Sequence, residues 1–383
     1  MSTIRTVNIQ HPSSSTPSIT MDSTGAMTGS FPYPNRNLIY NGAMQINQRS
    51  ASTASITNGG YYTADRWLVS TEANMFGTWT QSVENDAPTG SGLRRSLKMV
   101  CTTADATPAA GDYIQVVQLL EGQDLQRIAK GTSSAQQLTL SFWVKSNVTG
   151  TYIAELRDVD NSNRTVAASY TISASATWER KTITFPADTT GAFDNDNAAS
   201  LSLGFWLGAG STYNSGSSLG TTWNTTTNTR AVGGTNLAAA TNNYWQITGV
   251  QLETGSVATP FEFKSFGQEL RECQRYYCKS FPVGTAPADN QGGGVGSTNS
   301  ATQNFFSVAQ VSFPVEMRAA PTITYYNPSA VNANKIRDAS GLNYPAYTQV
   351  GPTSKGFTVA VNNTSFMGGG TLGFTNYVAE AEL

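Results

Sequence analysis

Histidine is nearly missing from this chain: among 383 residues there is one, His11. It lies in a polar N-terminal stretch, so no serine, cysteine or threonine of the globular part has an imidazole base beside it, and no histidine-built metal site can form. Cysteine is scarce too. Cys101, Cys273 and Cys278 are an odd set, with two of them on what reads as one helix. That does not describe a disulfide framework, and it predicts free thiols in a chain folded in a reducing cytosol. Long hydrophobic runs are absent. No stretch of about 18 apolar residues occurs, and the opening segment MSTIRTVNIQHPSSSTPSIT has no apolar core of signal-peptide length. Neither membrane insertion nor export by the general secretory route is expected.

Charge is also low. Charged residues make up 13% of the chain, and 23 basic against 25 acidic side chains give a net charge of −2. No lysine and arginine cluster is long enough to track phosphates, which excludes nucleic acid as a ligand. The glycine run from Gly292 to Gly296 lacks the lysine and the helix of a phosphate-cradling loop. Glycine, serine, threonine and asparagine fill the gap that charge leaves. Such a polar, weakly charged surface is normal for an extracellular or particle-borne β protein.

What the chain does have is two-residue alternation. Leu138 to Ser146 (LTLSFWVKS) and Tyr244 to Glu253 (YWQITGVQLE) both alternate apolar and polar residues, the mark of antiparallel strands with one buried face. Eleven such segments, from Asn37 to Ile46 at the start to Tyr244 to Leu252 at the end, predict a two-sheet jelly roll. The fold class expected is all-β: an extended N-terminal arm (1–35), a jelly-roll β-sandwich (36–265), a short connector helix (266–281) and a smaller C-terminal β-sandwich (282–383). The helix rests on FGQELRECQRYYCK, where Leu270, Cys273, Tyr277 and Phe281 recur near the helical period. Phe31 to Asn35, with two prolines, reads as a stiff linker. Gly208 to Asn243 is low in complexity and reads as a long surface excursion, the place for contact with something outside the fold.

Two carboxylate pairs are the candidates for chemistry: Asp158 with Asp160 in DVDNSN, and Asp194 with Asp196 in FDNDN. Turn formation is their first role, because aspartate and asparagine bond their own backbone. Calcium is the second, although Asp158 to Asn163 lacks the glycine and the distal glutamate of a calcium loop. Acid–base work is the third. Seven tryptophans offer flat faces for sugar rings. Trp143, Trp206 and Trp245 fall inside strand patterns and are assigned to the core, and Trp67 to an edge with Arg66 turned to solvent. Trp79, Trp178 and Trp223 lie near turns and are the glycan-binding candidates.

Five segments, NLIYNGAMQINQRS (37–50), YYTADRW (61–67), SFWVKS (141–146), YWQITGVQLETGSVATP (244–260) and LRECQRYY (270–277), carry a resemblance. The chain resembles bacteriophage tail fibre and virion appendage proteins with a carbohydrate-binding-module-like jelly roll, of the marine or cyanobacterial phage type. Met317 to Pro321 and the ending AEAEL are similar to the tips of such fibres. The resemblance implies assembly in the host cytoplasm, a homotrimer, docking to tail or adaptor proteins through residues 1–35, and adhesion to a host-surface glycan or receptor. It supplies no binding residue and implies no enzyme and no cofactor beyond the calcium considered above. A capsid decoration protein and a polysaccharide depolymerase are the alternative readings.

Overall fold

Alternation becomes strands through most of the computed structural model, which describes residues 8–9, 19–21, 27–29, 34–71, 75–298, 305–331, 334–362 and 372–383. Met1–Arg36 and Asn37–Leu383 are two compact units. In the first, β1 (Asn8–Ile9), β2 (Ile19–Met21) and β3 (Met27–Gly29) pair in that order as a small antiparallel sheet. His11 and residues 31–33 of the proline-rich linker lie outside the described residues.

The second unit begins with twelve strands: β4 (Ser52–Ile56), β5 (Gly60–Tyr61), β6 (Leu68–Ser70), β7 (Thr78–Glu84), β8 (Ser96–Thr103), β9 (Tyr113–Glu121), β10 (Leu138–Ser146), β11 (Gly150–Asp158), β12 (Arg164–Ile172), β13 (Glu179–Phe185), β14 (Ala199–Ala209) and β15 (Tyr244–Thr254). They form two six-stranded antiparallel sheets, ordered β13-β10-β15-β8-β7-β4 and β12-β11-β14-β9-β6-β5. Each strand sends alternate side chains to the opposite sheet. In β10 these are Leu138, Leu140, Phe142 and Val144, all in the shared core. Aromatic rings tie the layers together: Phe142 meets Phe205 at 5.1 Å between centroids, Phe205 meets Trp245 at 5.5 Å, and the Trp245 indole donates to the Tyr170 hydroxyl at 3.1 Å.

Asn37 to Ile46, expected as a strand, is instead a buried non-repetitive segment. Asn41 and Met44 have positive φ, and the Asn41 amide donates to the carbonyls of Ile46 and Asp65. Side-chain amides here satisfy the backbone that a ladder would otherwise have satisfied. Leu38, Ile39, Met44 and Ile46 are nevertheless buried, so the apolar pattern reported burial and not extension.

The expected helix is shorter than its periodicity. α2 (Phe266–Gln274), the second helix after the single turn α1 (Ser211–Asn214), starts at a Ser265 cap whose side chain accepts from the Gln268 amide. Tyr277–Lys279 is strand β16, paired with β23 (Leu372–Glu380). With β17 (Val295–Thr298), β18 (Phe305–Ser312), β19 (Thr322–Tyr326), β20 (Lys335–Asp338), β21 (Asn343–Thr353) and β22 (Gly356–Asn362), it makes an eight-stranded sheet of path β16-β23-β20-β21-β22-β18, with β17 and β19 also on β23. This sheet folds onto itself. Phe357 of β22 and Tyr377 of β23 are well apart along the path, yet their rings meet at 5.1 Å over a core with Met317 and Ile336.

The join between sandwich and C-terminal sheet is ionic and buried. Arg66, expected at the surface, has a fully buried side chain: it pairs with Glu382, donates to the Leu119 carbonyl at 2.7 Å, and lies 3.4 Å from the Tyr276 ring centroid. Arg49 reaches Glu380 and Glu382 at 2.9 and 3.0 Å and covers the Tyr277 ring at 3.9 Å. Arg275 grips Glu121 through two bonds of 2.8 and 2.7 Å. Trp67, expected at an edge, is wholly inside.

Candidate functional site

The outer face of the β13-β10-β15 sheet carries the polar half of each strand's alternation. On β10 this half is Thr139, Ser141, Trp143 and Lys145, since Leu138, Leu140, Phe142 and Val144 point inward. Register places Trp143 beside Arg180 of β13 and Thr248 of β15, and Lys145 beside Gln246. Trp143 is half-buried, as is Trp178 next to the start of β13. The face is therefore aromatic and hydrogen-bonding together.

One loop organises it. Between β7 and β8 the chain crosses the face, with Ser91 donating from both its amide and its hydroxyl to the Pro88 carbonyl and with Gly90 and Gly92 at positive φ. Asp86 is its anchor. The carboxylate pairs with Lys145, accepts from the Trp178 indole at 3.2 Å and accepts from the Gln246 amide at 3.2 Å. The Lys145 ammonium in turn stands 5.0 Å from the Trp178 ring centroid. Burial pushes the Asp86 carboxyl up, but the hydrogen bonds from Lys145 and Trp178 outweigh it and hold the group below the usual carboxylate value. Asp86 is thus held as an ionised acceptor.

At the loop's far end Leu93 folds down onto the sheet. It fits because β15 carries Gly249, at φ +61°, where the β10–β15 register slips: a Cβ there would come within 2.7 Å of Leu93 and 3.3 Å of Trp143. Phe263, 53% exposed, lies over Gly92, where a Cβ would meet its ring at 3.0 Å. A cavity of about 430 Å³ opens in this loop, lined by Asn85, Pro88, Thr89, Leu93 and Arg94 among others. That volume lies within the range of small-ligand sites. Flat rings, a fixed anionic acceptor, amide groups and an adjoining cleft can bind a polyol.

The residues expected from sequence are scattered. Trp178 stands on this face. Trp79 is corrected to the core: it is fully buried and its indole donates to the Phe76 carbonyl at 3.0 Å, because the strand runs on through it to Glu84. Trp223 is half-buried against the sandwich core, its indole bonded to the Pro186 carbonyl at 2.9 Å and its ring 5.6 Å from the Lys130 ammonium. Trp143, assigned to the core, faces outward. The alternation within LTLSFWVKS puts it in the polar set, and that was the legible signal. For Asp86 no signal was available, since its partners come from three distant segments.

The calcium candidates stand in turns. Asp158 is buried and paired with Lys130 at 2.5 Å, and its other oxygen accepts the amides of Asp160 and Asn161. Asp160 accepts the Asp194 amide at 3.0 Å, and Asp196 accepts that of Ala198 at 2.9 Å. Among the described residues no three acidic, cysteine or histidine side chains gather as a metal would need. These aspartates shape turns, and a lysine already supplies the cation at Asp158.

No known protein-family model matches the chain, and no curated protein is found similar to it. Solved structures resemble it weakly. The enzymatically active domain of tailspike protein 4 of bacteriophage CBA120 is 15% identical over 58% of this chain, at a TM-score of 0.30, and the match spans only 22% of that chain. A carbohydrate-binding module in complex with β-1,4-galactotriose is 10% identical over 57% of this chain and 99% of its own, at 0.29. A Bacteroides thetaiotaomicron protein described as sugar-binding is 13% identical over 57% of this chain and 99% of its own, at 0.31. No residue role passes from any of them.

Proposed function

We propose that this chain is a non-enzymatic structural protein of a bacteriophage virion, a trimeric tail fibre that docks by its N-terminal arm and adheres to host-surface glycan through the outer face of the first sheet. The observation that carries the adhesion reading is the Asp86 anchor. A single ionised carboxylate holds Lys145, Gln246 and the Trp178 indole in place beside Trp143, so rings and hydrogen-bonding groups are set before a ligand arrives. Preorganisation reduces the ordering cost of binding. Three tethered copies would multiply a weak single-site affinity by orders of magnitude.

The low net charge and short-run β pattern suit a particle-borne protein, and the five-segment resemblance supports the virion assignment. Glycoside hydrolysis needs a carboxylic acid that holds its proton. Among the described residues, the two carboxyls that burial pushes up, Asp65 and Glu269, are enclosed and take no part in the Asp86 anchor.

The test is a titration of the full chain against a panel of neutral oligosaccharides, repeated with Trp143→Ala. We expect roughly tenfold or greater loss of affinity, about 1.4 kcal/mol, with unchanged unfolding. Equal affinity in the variant would refute this face as the binding surface. Electron microscopy of the particle tests the location: threefold tail appendages are expected, and a lattice over the capsid would make the chain a decoration protein.

A further inference from the structure

The opposite side of the sandwich carries a second, separate cavity. The excursion between β14 and β15 does not hang free: its Asn224 and Gly220 backbones bond Thr165 and Ala167 of β12, so it adds to the sheet's edge strand. Tyr213 and Ala231 close over Trp206 and Ile153 on the sheet's outer face as a small core of their own. Between this cover and the β11–β12 hairpin lies a space of about 350 Å³.

Its lining is cationic and hydroxyl-rich. Thr165, Thr225 and Thr227 supply hydroxyls, Tyr213 a ring, and Arg157 a guanidinium. Arg230 is also there, but Glu155 takes it up through two bonds of 3.0 and 2.6 Å. Arg157 is different. Its Nε and one Nη donate to the side-chain oxygen of Asn163, a neutral acceptor, at 3.1 and 2.8 Å, and among the described residues it makes no ion pair. Asn163 is aimed there by a hairpin turn in which both Ser162 and Asn163 have positive φ, the mirror-type turn usually built from asparagine and glycine. The turn therefore fixes the guanidinium in a fork facing the cavity, with no carboxylate among the described residues paired to it.

We infer that this cavity binds an anionic saccharide, with the sugar's carboxylate or sulfate ester on Arg157 and its hydroxyls on the threonines. A planar guanidinium with free donors is the side chain best suited to such oxyanions. The inference does not depend on the first-sheet site, which lies on the opposite outer face and presents a carboxylate where this one presents a cation.

The test is a titration of the full chain with a galacturonic acid trimer, its neutral galactose counterpart and a sulfated galactose oligomer. The charged probes should bind at least roughly tenfold tighter than the neutral one, with a preference that weakens as salt rises. Arg157→Gln should erase that preference. Thr225→Trp, at an exposed position, should block the cavity and lose all binding there if the arginine variant misfolds. Trp143→Ala should leave the charged probes untouched. Preference for the sulfated over the carboxylated oligomer would identify the anion as a sulfate ester. Equal binding of charged and neutral probes, or a preference surviving in Arg157→Gln, would overturn the inference.

Discussion

Tryptophan shows how one residue type is sorted by its neighbours. Trp79 and Trp178 both looked like turn-adjacent rings, yet Trp79 is sealed between the sheets while Trp178 is half-buried beside Asp86 and Lys145. Truncation separates them. Trp79→Ala should cost about 3–5 kcal/mol through lost contacts and a cavity, whereas Trp178→Ala should cost about 1 kcal/mol or less because the site opens to solvent. Urea unfolding of the two variants checks this, and equal losses would contradict the placement. Neither position was decided by the residue's own propensity. A ring next to a turn is inside or outside according to which strand face continues through it.

The 85–95 loop between β7 and β8 is an element whose anchoring should depend on pH. Asp86 has its carboxyl held below the ordinary value of 3.8, so the native state binds fewer protons there than the unfolded chain. The anchoring is fully present above that ordinary value and is lost as pH falls through the lower native one. Hydrogen exchange of residues 85–95 should therefore rise at strongly acid pH before the β10 and β15 amides open, and Asp86→Asn should show the same loosening at neutral pH. Unchanged protection in the variant would mean that Leu93 alone holds the loop. Most of the strands were legible in sequence, because alternation over seven or more residues specifies both type and face. Asn37–Ile46 and the end of the helix were not. In the first, asparagine side chains replaced ladder bonds; in the second, a pairing partner a hundred residues away at β23 captured Tyr277–Lys279.

For the whole molecule, the join is what makes sandwich and C-terminal sheet one unit. The short motifs that looked like separate signatures, NQRS, YYTADRW, LRECQRYY and the final AEAEL, converge there: Arg49, Arg66, Arg275 and Glu382 are their contributions. Removing one partner of a buried pair leaves the other charge uncompensated. Glu382→Gln should destabilise by about 3–5 kcal/mol and allow the C-terminal sheet to open first, whereas Arg66→Met with Glu382→Leu should cost less than the single change. Denaturant titration of both variants is the check, and a double variant worse than the single one would show that the charges themselves hold the join.

By itself the sequence determined that this chain is built of β-strands, that its tryptophan-rich alternating segments form a sandwich, and that its one histidine falls in the N-terminal stretch. Those properties are local: period two, turn residues and an almost missing residue type can be read one segment at a time. Only the tertiary structure decided that Asp86, Lys145, Gln246 and Trp178 share a site, that Arg157 faces a cavity under the excursion, and that Glu382 reaches Arg66. Each of those is a meeting of residues far apart along the chain. Strand register and loop crossing set such meetings, and no single segment's pattern encodes its partner.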